Sequence, residues 1–214
     1  MGYNSSKLIK PDSGQRRLSG WDSQDNKVMS VSKLIPQIAE VFKKSEVNLP
    51  VSLKMKTAEL VLHLMKSQKN FGLFIILGWQ NEWQEYTDIS DSTQDIFMAH
   101  HVNVADVENH ADWYREVEST VGFDGAILID GAGEIKHSGV MIEGLRPRII
   151  AAEINPGNFS DLSDQFGFKR KVHTRHLSAI AASHVFKNTT VYTVSEEAND
   201  MHIFETGKII YSIP

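Results

Sequence analysis

Seven consecutive uncharged residues, Phe71-Gly72-Leu73-Phe74-Ile75-Ile76-Leu77, form the longest apolar run in the chain. A bilayer span needs roughly 20 such residues, so the run is read as a buried strand and not as a membrane anchor. Ala126-Ile127-Leu128-Ile129 and Val191-Tyr192-Thr193-Val194 read as further strands. Asp130-Gly131-Ala132-Gly133 supplies turn residues before Ile135 to Ile142, which predicts a β-hairpin, and Met201 to Glu205 with Lys208 to Ile213 flank Gly207 as a terminal one. Helical spacing joins Val28, Val31, Leu34, Ile35, Ile38, Val41 and Phe42, with Pro36 expected to kink or shorten that helix. Other helices are expected over Thr57 to Ser67, around Asp106 to Ser119, and from near Leu177 through Ala182. The fold class that follows is α/β, a mixed β-sheet flanked by helices, with an N-terminal helical extension.

Composition divides the chain further. Residues 1–27 are rich in Ser, Asp, Asn, Gln and Gly, and too poor in apolar groups to offset the cost of ordering, so a flexible tail is expected there. Residues 28–53 form the helical extension, a candidate regulatory element, and residues 54–214 the main domain. With 41% hydrophobic and 23% charged residues the composition is that of a globular protein. The first residues lack the basic-then-apolar order of a signal peptide, and there is no cysteine for disulfide or thiolate chemistry, so a cytoplasmic protein without a membrane partner is expected. A net charge of -5 argues against broad capture of nucleic acid, which requires a basic surface. A small anion needs only a local basic pocket, and Lys169-Arg170-Lys171 is the densest cluster that could supply one; a solvated loop is the plainer reading.

Three short segments carry chemistry. Asp124-Gly125-Ala126 puts a carboxylate at the mouth of an apolar strand, where small residues let a ligand approach the backbone; a divalent metal or a ribose hydroxyl suits it, and a simple Asx turn is the alternative. Thr174, Arg175 and His176 come just before the helix expected from Leu177, so a hydroxyl, a guanidinium and backbone N–H groups could converge on phosphate; a helix cap with a surface ion pair is the alternative. Ser195-Glu196-Glu197 ends a strand, a usual place for functional groups and equally for a polar loop. His173 and His176 without a third ligand make a poor zinc site. Gly131-Ala132-Gly133 and Thr206-Gly207-Lys208 read as turns, and His100-His101 and the segment from Trp79 to Trp83 as packing, with an aromatic lid over a base as the rival reading.

In order and spacing these segments resemble the signature of the diadenylate cyclase domain family, from about Lys54 to the C-terminus. The resemblance implies condensation of two ATP into cyclic di-AMP with release of two pyrophosphates, across two protomers that face each other in a homo-oligomer. It implies Mg²⁺ or Mn²⁺ held by Asp124 and Glu197, with Asp124 beside the attacking 3'-hydroxyl. Gly125, Ala126, Thr174, Arg175, His176 and Ser195 would then line the nucleotide and its phosphates. The chain departs from the family pattern Gly-Thr-Arg-His-Arg-Ala at His173, Leu177 and Ser178, losing a bidentate phosphate contact that a leucine cannot replace. Those departures keep open a second class of function, a degenerate domain that senses an adenine nucleotide or cyclic dinucleotide without making one.

Overall fold

The computed structural model of the protein describes residues 31–68, 70–89, 91–109, 113–157, 161–166 and 174–213. Residues 1–30, with the tail expected there, and the basic run at 169–171 together with His173 lie outside the described residues. Helices α1 (Val31–Lys43) and α2 (Val51–Ser67) precede β1 (Leu73–Trp79). The two-residue strand β2 (Thr87–Asp88), α3 (Trp113–Ser119), β3 (Ala126–Asp130) and β4 (Ile135–Ile142) follow, then α4 (Pro147–Ile154), α5 (Leu162–Phe166) and α6 (Thr174–Val185). A contiguous meander, β5 (Thr190–Val194), β6 (Met201–Glu205) and β7 (Lys208–Ile213), ends the chain.

The strands form one seven-stranded sheet in the order β2-β4-β3-β1-β5-β6-β7. Among the described strands only β1 and β3 pair in parallel; β1 pairs with β5, and every other neighbour with the next, antiparallel. The sheet is therefore mixed, as expected, and β1 lies near its middle because an uninterrupted apolar run is tolerated only where both faces are covered. Leu73, Ile75 and Leu77 enter one core with Leu34, Ile38 and Phe42 of α1 and Leu60 and Leu64 of α2. Phe74, Ile76 and Trp79 enter a second core with Ala179, Ile180 and Phe186, which α6 brings to the other face. The strict alternation breaks at Gly78, where φ is +92° and the register slips between Leu77 and Trp79, so Trp79 joins the same side as Ile76. A side chain at Gly78 would also meet the Asn188 carbonyl oxygen at 2.7 Å.

Both hairpins form where expected. Asp130 accepts hydrogen bonds from the amides of Ala132 and Glu134, each 2.9 Å, and closes the first; Thr206 and Gly207, with φ of +51° and +77°, make the second. Several boundaries differ. Pro36 stands inside α1 without ending it. Helix α2 starts at Val51, six residues before Thr57, and its first turns bury Leu53 and Lys54. The expected helix at 106–119 is instead a 3-10 segment, Val104–Asn109, and the separate α3. Helix α6 begins at Thr174, so the Thr-Arg-His run is its first turn and not the loop before it. Helices α4 and α5 have no counterpart in the sequence reading.

Lys54 and Glu205 form a pair almost sealed from solvent, 1% and 3% exposed, with Nζ 3.3 Å from Oε1. Lys54 also donates to Ser45 Oγ (2.8 Å), Thr190 donates to Glu205 Oε1 (2.7 Å), and Ser45 donates to the second carboxylate oxygen. The Lys54 ammonium sits 5.1 Å from the centre of the Phe42 ring. Lys54, where the sequence reading begins the main domain, lies inside α2 and joins Ser45 before the helix to Glu205 of β6.

Candidate functional site

Backbone register brings the Asp124 and Ser195 segments to one end of the sheet, and helix packing brings the Thr174 segment over it. Ile75 of β1 lies opposite Ile127 of β3, Leu73 opposite Val194 of β5, and Val194 opposite Met201 of β6. Asp124 and Gly125 leading into β3, Gly72 leading into β1, Ser195 leaving β5 and Asp200 leading into β6 therefore stand on the same edge. The first turn of α6 lies over this end. The guanidinium of Arg175 fills the space that a Cβ on Gly72 would occupy, and His176, 5% exposed, packs edge-on against His202 with ring centres 4.8 Å apart.

Asp124 is exposed, and its carboxylate makes no hydrogen bond or ion pair among the described residues, so it does not close an Asx turn. Gly125, with φ of +99°, passes so close to β4 that a Cβ would lie 2.6 Å from the Val140 oxygen; only glycine fits there, and Ala126 behind it is buried. Ser195 is 7% exposed and tied into its own loop: its amide donates to the Asp200 carbonyl (3.0 Å), its carbonyl accepts from Asn199 (2.8 Å), and its hydroxyl accepts from the Ala198 amide (3.3 Å). Asn199 takes the left-handed conformation, φ +49°, as its short polar side chain allows. Glu196 and Glu197 project from this turn as exposed residues. Thr174 is the first residue of α6.

Sequence reasoning missed two residues here. Asp200 and His202, two apart on an extended strand, point to the same face, and with His176 they bring donor atoms within 4.8 Å of one another. Burial lowers the His202 pKa below its usual value, opposed in part by the Asp200 carboxylate. The signal available was the alternation Asp200-Met201-His202.

The other segments weighed from sequence lie elsewhere. Trp79, Trp83 and Tyr86 close around Phe186, with ring centres 5.0 to 5.6 Å apart from it, at the far end of β1, so they are core packing and not a lid over this site. His100 and His101 approach Glu116 and Glu134 on the surface, at 3.6 and 3.3 Å. A cavity lined by Trp79, Gln84, Thr87 and His137 also belongs to that far end. No helix among the described residues is long and apolar enough to cross a membrane.

No family model matches the chain, and no curated protein matches it. Among solved structures it is similar to a hypothetical membrane spanning protein from Bacillus cereus, at 16% identity and a TM-score of 0.46, over 74% of this chain and 61% of that one. It is also similar to DacA from Staphylococcus aureus, in a double-mutant form, at 18% identity and a TM-score of 0.42, over 73% of this chain and 83% of that one. The chain thus spans about 61% of the length of the first of these.

Proposed function

We propose that the protein is a diadenylate cyclase, condensing two ATP into cyclic di-AMP and two pyrophosphates. The observation that carries this reading is the meeting of Asp124-Gly125, Thr174-Arg175-His176 and Ser195-Glu196-Glu197 at one end of the sheet, although they come from three separate parts of the sequence. Each 3'-hydroxyl must attack the α-phosphorus of the other ATP in line, so two such ends must face each other and the working form is a homo-oligomer. Arg175 and the first-turn amides of α6 would hold phosphate, where a fixed guanidinium and outward N–H groups favour anions. Gly125 would let the nucleotide approach the backbone beside Ala126, while Ser195 positions a phosphate oxygen. Asp124 and Glu197 offer hard oxygen donors of the kind that hold Mg²⁺ or Mn²⁺ together with substrate phosphates, and that ion would neutralise charge on them.

Purified protein with ATP and Mn²⁺ is expected to yield cyclic di-AMP by mass spectrometry, and GTP to give no cyclic product. Tight ATP binding with no cyclic product under any divalent ion would replace this reading with the nucleotide sensor. That second reading draws on Leu177, which is half-buried in the first turn of α6 where the family pattern has arginine. Leu177→Arg is expected to raise ATP affinity or turnover by about 10- to 100-fold through a charge-assisted hydrogen bond. A lower melting temperature with neither gain would place position 177 toward the core. Gly72→Ala tests the Arg175 contact, because the new methyl must displace the guanidinium. ATP affinity is expected to fall about 10-fold, the equivalent of one charge-assisted hydrogen bond, with only a small change in melting temperature. Unchanged affinity would remove Arg175 from the phosphate site.

A further inference from the structure

We propose that His176, Asp200 and His202 bind a divalent transition-metal ion of the zinc class, with a fourth position left to water. This site is separate from the pair Asp124 and Glu197, and it does not rest on the cyclase reading. The three residues come from two elements that pack on each other. Asp200 and His202 stand at the start of β6 on the face covered by α6, and His176 descends from the first turn of that helix. Their donor atoms already lie within 4.8 Å of one another, with His202 Nδ1 3.9 Å from Asp200 Oδ1. Tetrahedral zinc with bonds of about 2.0–2.2 Å holds donors about 3.3 Å apart, so small side-chain rotations of roughly 1.5 Å at the widest pair close the site. Two imidazoles with one carboxylate suit a borderline ion better than Mg²⁺ or Ca²⁺, which prefer oxygen alone.

Two further observations point to a ligand. Asp200 Oδ1 is buried and accepts no hydrogen bond among the described residues, an arrangement that is costly for a carboxylate oxygen unless a cation lies beside it. Thr193 pairs directly with His202 across β5 and β6, is fully buried, and its hydroxyl also lacks a hydrogen-bond partner among the described residues. The ion would give Asp200 Oδ1 a partner, and a water bound to it is of the kind that could give the Thr193 hydroxyl one. Occupancy would tie the first turn of α6 to β6 and so fix the turn that carries Arg175.

The test uses the full chain, freed of metal and without nucleotide, titrated with Co²⁺ and Zn²⁺. One equivalent of Co²⁺ is expected to give the intense visible absorption of tetrahedral coordination, displaced by Zn²⁺. Asp200→Asn and His202→Gln, checked for folding by circular dichroism, are expected to weaken binding at least about 100-fold, since even losing a group that only orients a ligand costs 10- to 100-fold. Because the buried His202 variant could fail to fold, the wild-type chain is also followed by long-range ¹H–¹⁵N spectra. Zn²⁺ is expected to shift the ring nitrogens of His176 and His202 and leave those of His63 and His101 in place. Absence of Co²⁺ binding, equal binding by folded variants, or shifts confined to other histidines would overturn the proposal. Loss of cyclase activity would not bear on it.

Discussion

Lys54→Met is expected to lower the stability of the protein by about 3–5 kcal/mol, because it leaves the Glu205 carboxylate buried without its counter-charge. Glu205 would keep the Thr190 and Ser45 hydroxyls as donors, but neither neutralises the charge. For a chain of this size each kcal/mol moves the melting temperature by about 2–4 °C, so a fall of roughly 10 °C is anticipated. The double variant Lys54→Met with Glu205→Gln should recover much of the loss, since the cost arises from the unpaired charge and not from the missing pair. Thermal unfolding of the two variants beside the parent protein decides it. A loss below about 1 kcal/mol in the single variant would mean that water reaches Glu205, at odds with its 3% exposure.

Asp124→Asn is expected to reduce ATP turnover at least about 100-fold, equivalent to roughly 2.7 kcal/mol of barrier, with the melting temperature unchanged. The amide keeps the size of the side chain and removes the charge that a divalent ion requires. Stability should not move, because the carboxylate is exposed and makes no hydrogen bond or ion pair among the described residues. Product formation followed by mass spectrometry, with circular dichroism on the same sample, separates chemistry from folding. Near-normal turnover would reduce Asp124 to a residue of the bend before β3.

The parts of the fold that were legible in the sequence are those where burial leaves no choice. β1 and the Ala126–Ile129 stretch of β3 are apolar without interruption, and every residue of β5 is buried, because both faces are covered; that pattern is rarely produced by a loop. Asp130 and the Thr206-Gly207 pair marked their turns because their conformations need a local acceptor or a positive φ. The start of α2 was hidden by Lys54 and Lys56, whose charges read as a solvent face although Lys54 is sealed against Glu205 and Lys56 donates to the Ala105 carbonyl. Helix α4 opens on Pro147 and buries only Ile150 and Ala151, too little of a stripe to stand out.

The candidate site was legible by the same logic. Asp124 and Ser195 flank apolar strands, so their common edge follows once the strands pair. His176, Asp200 and His202 could not be grouped, because polar residues two apart on a strand usually mark a wet face. Only the descent of α6 onto β6 makes that face dry.

Placing β1 in the interior of the sheet has a price in time. Its antiparallel neighbour β5 begins at Thr190, so more than a hundred residues must be added after Trp79 before that edge of β1 can be covered. At roughly 5–20 residues per second the ribosome takes on the order of ten seconds over them. Throughout that interval the most apolar strand of the molecule offers an open row of N–H and C=O groups, the arrangement that recruits a second chain. The strands β5, β6 and β7 are a local meander that can assemble as it emerges. Arrival of β5 covers the open side of β1 and ends the exposure, so a strand made more than a hundred residues later protects the one at the centre of the sheet.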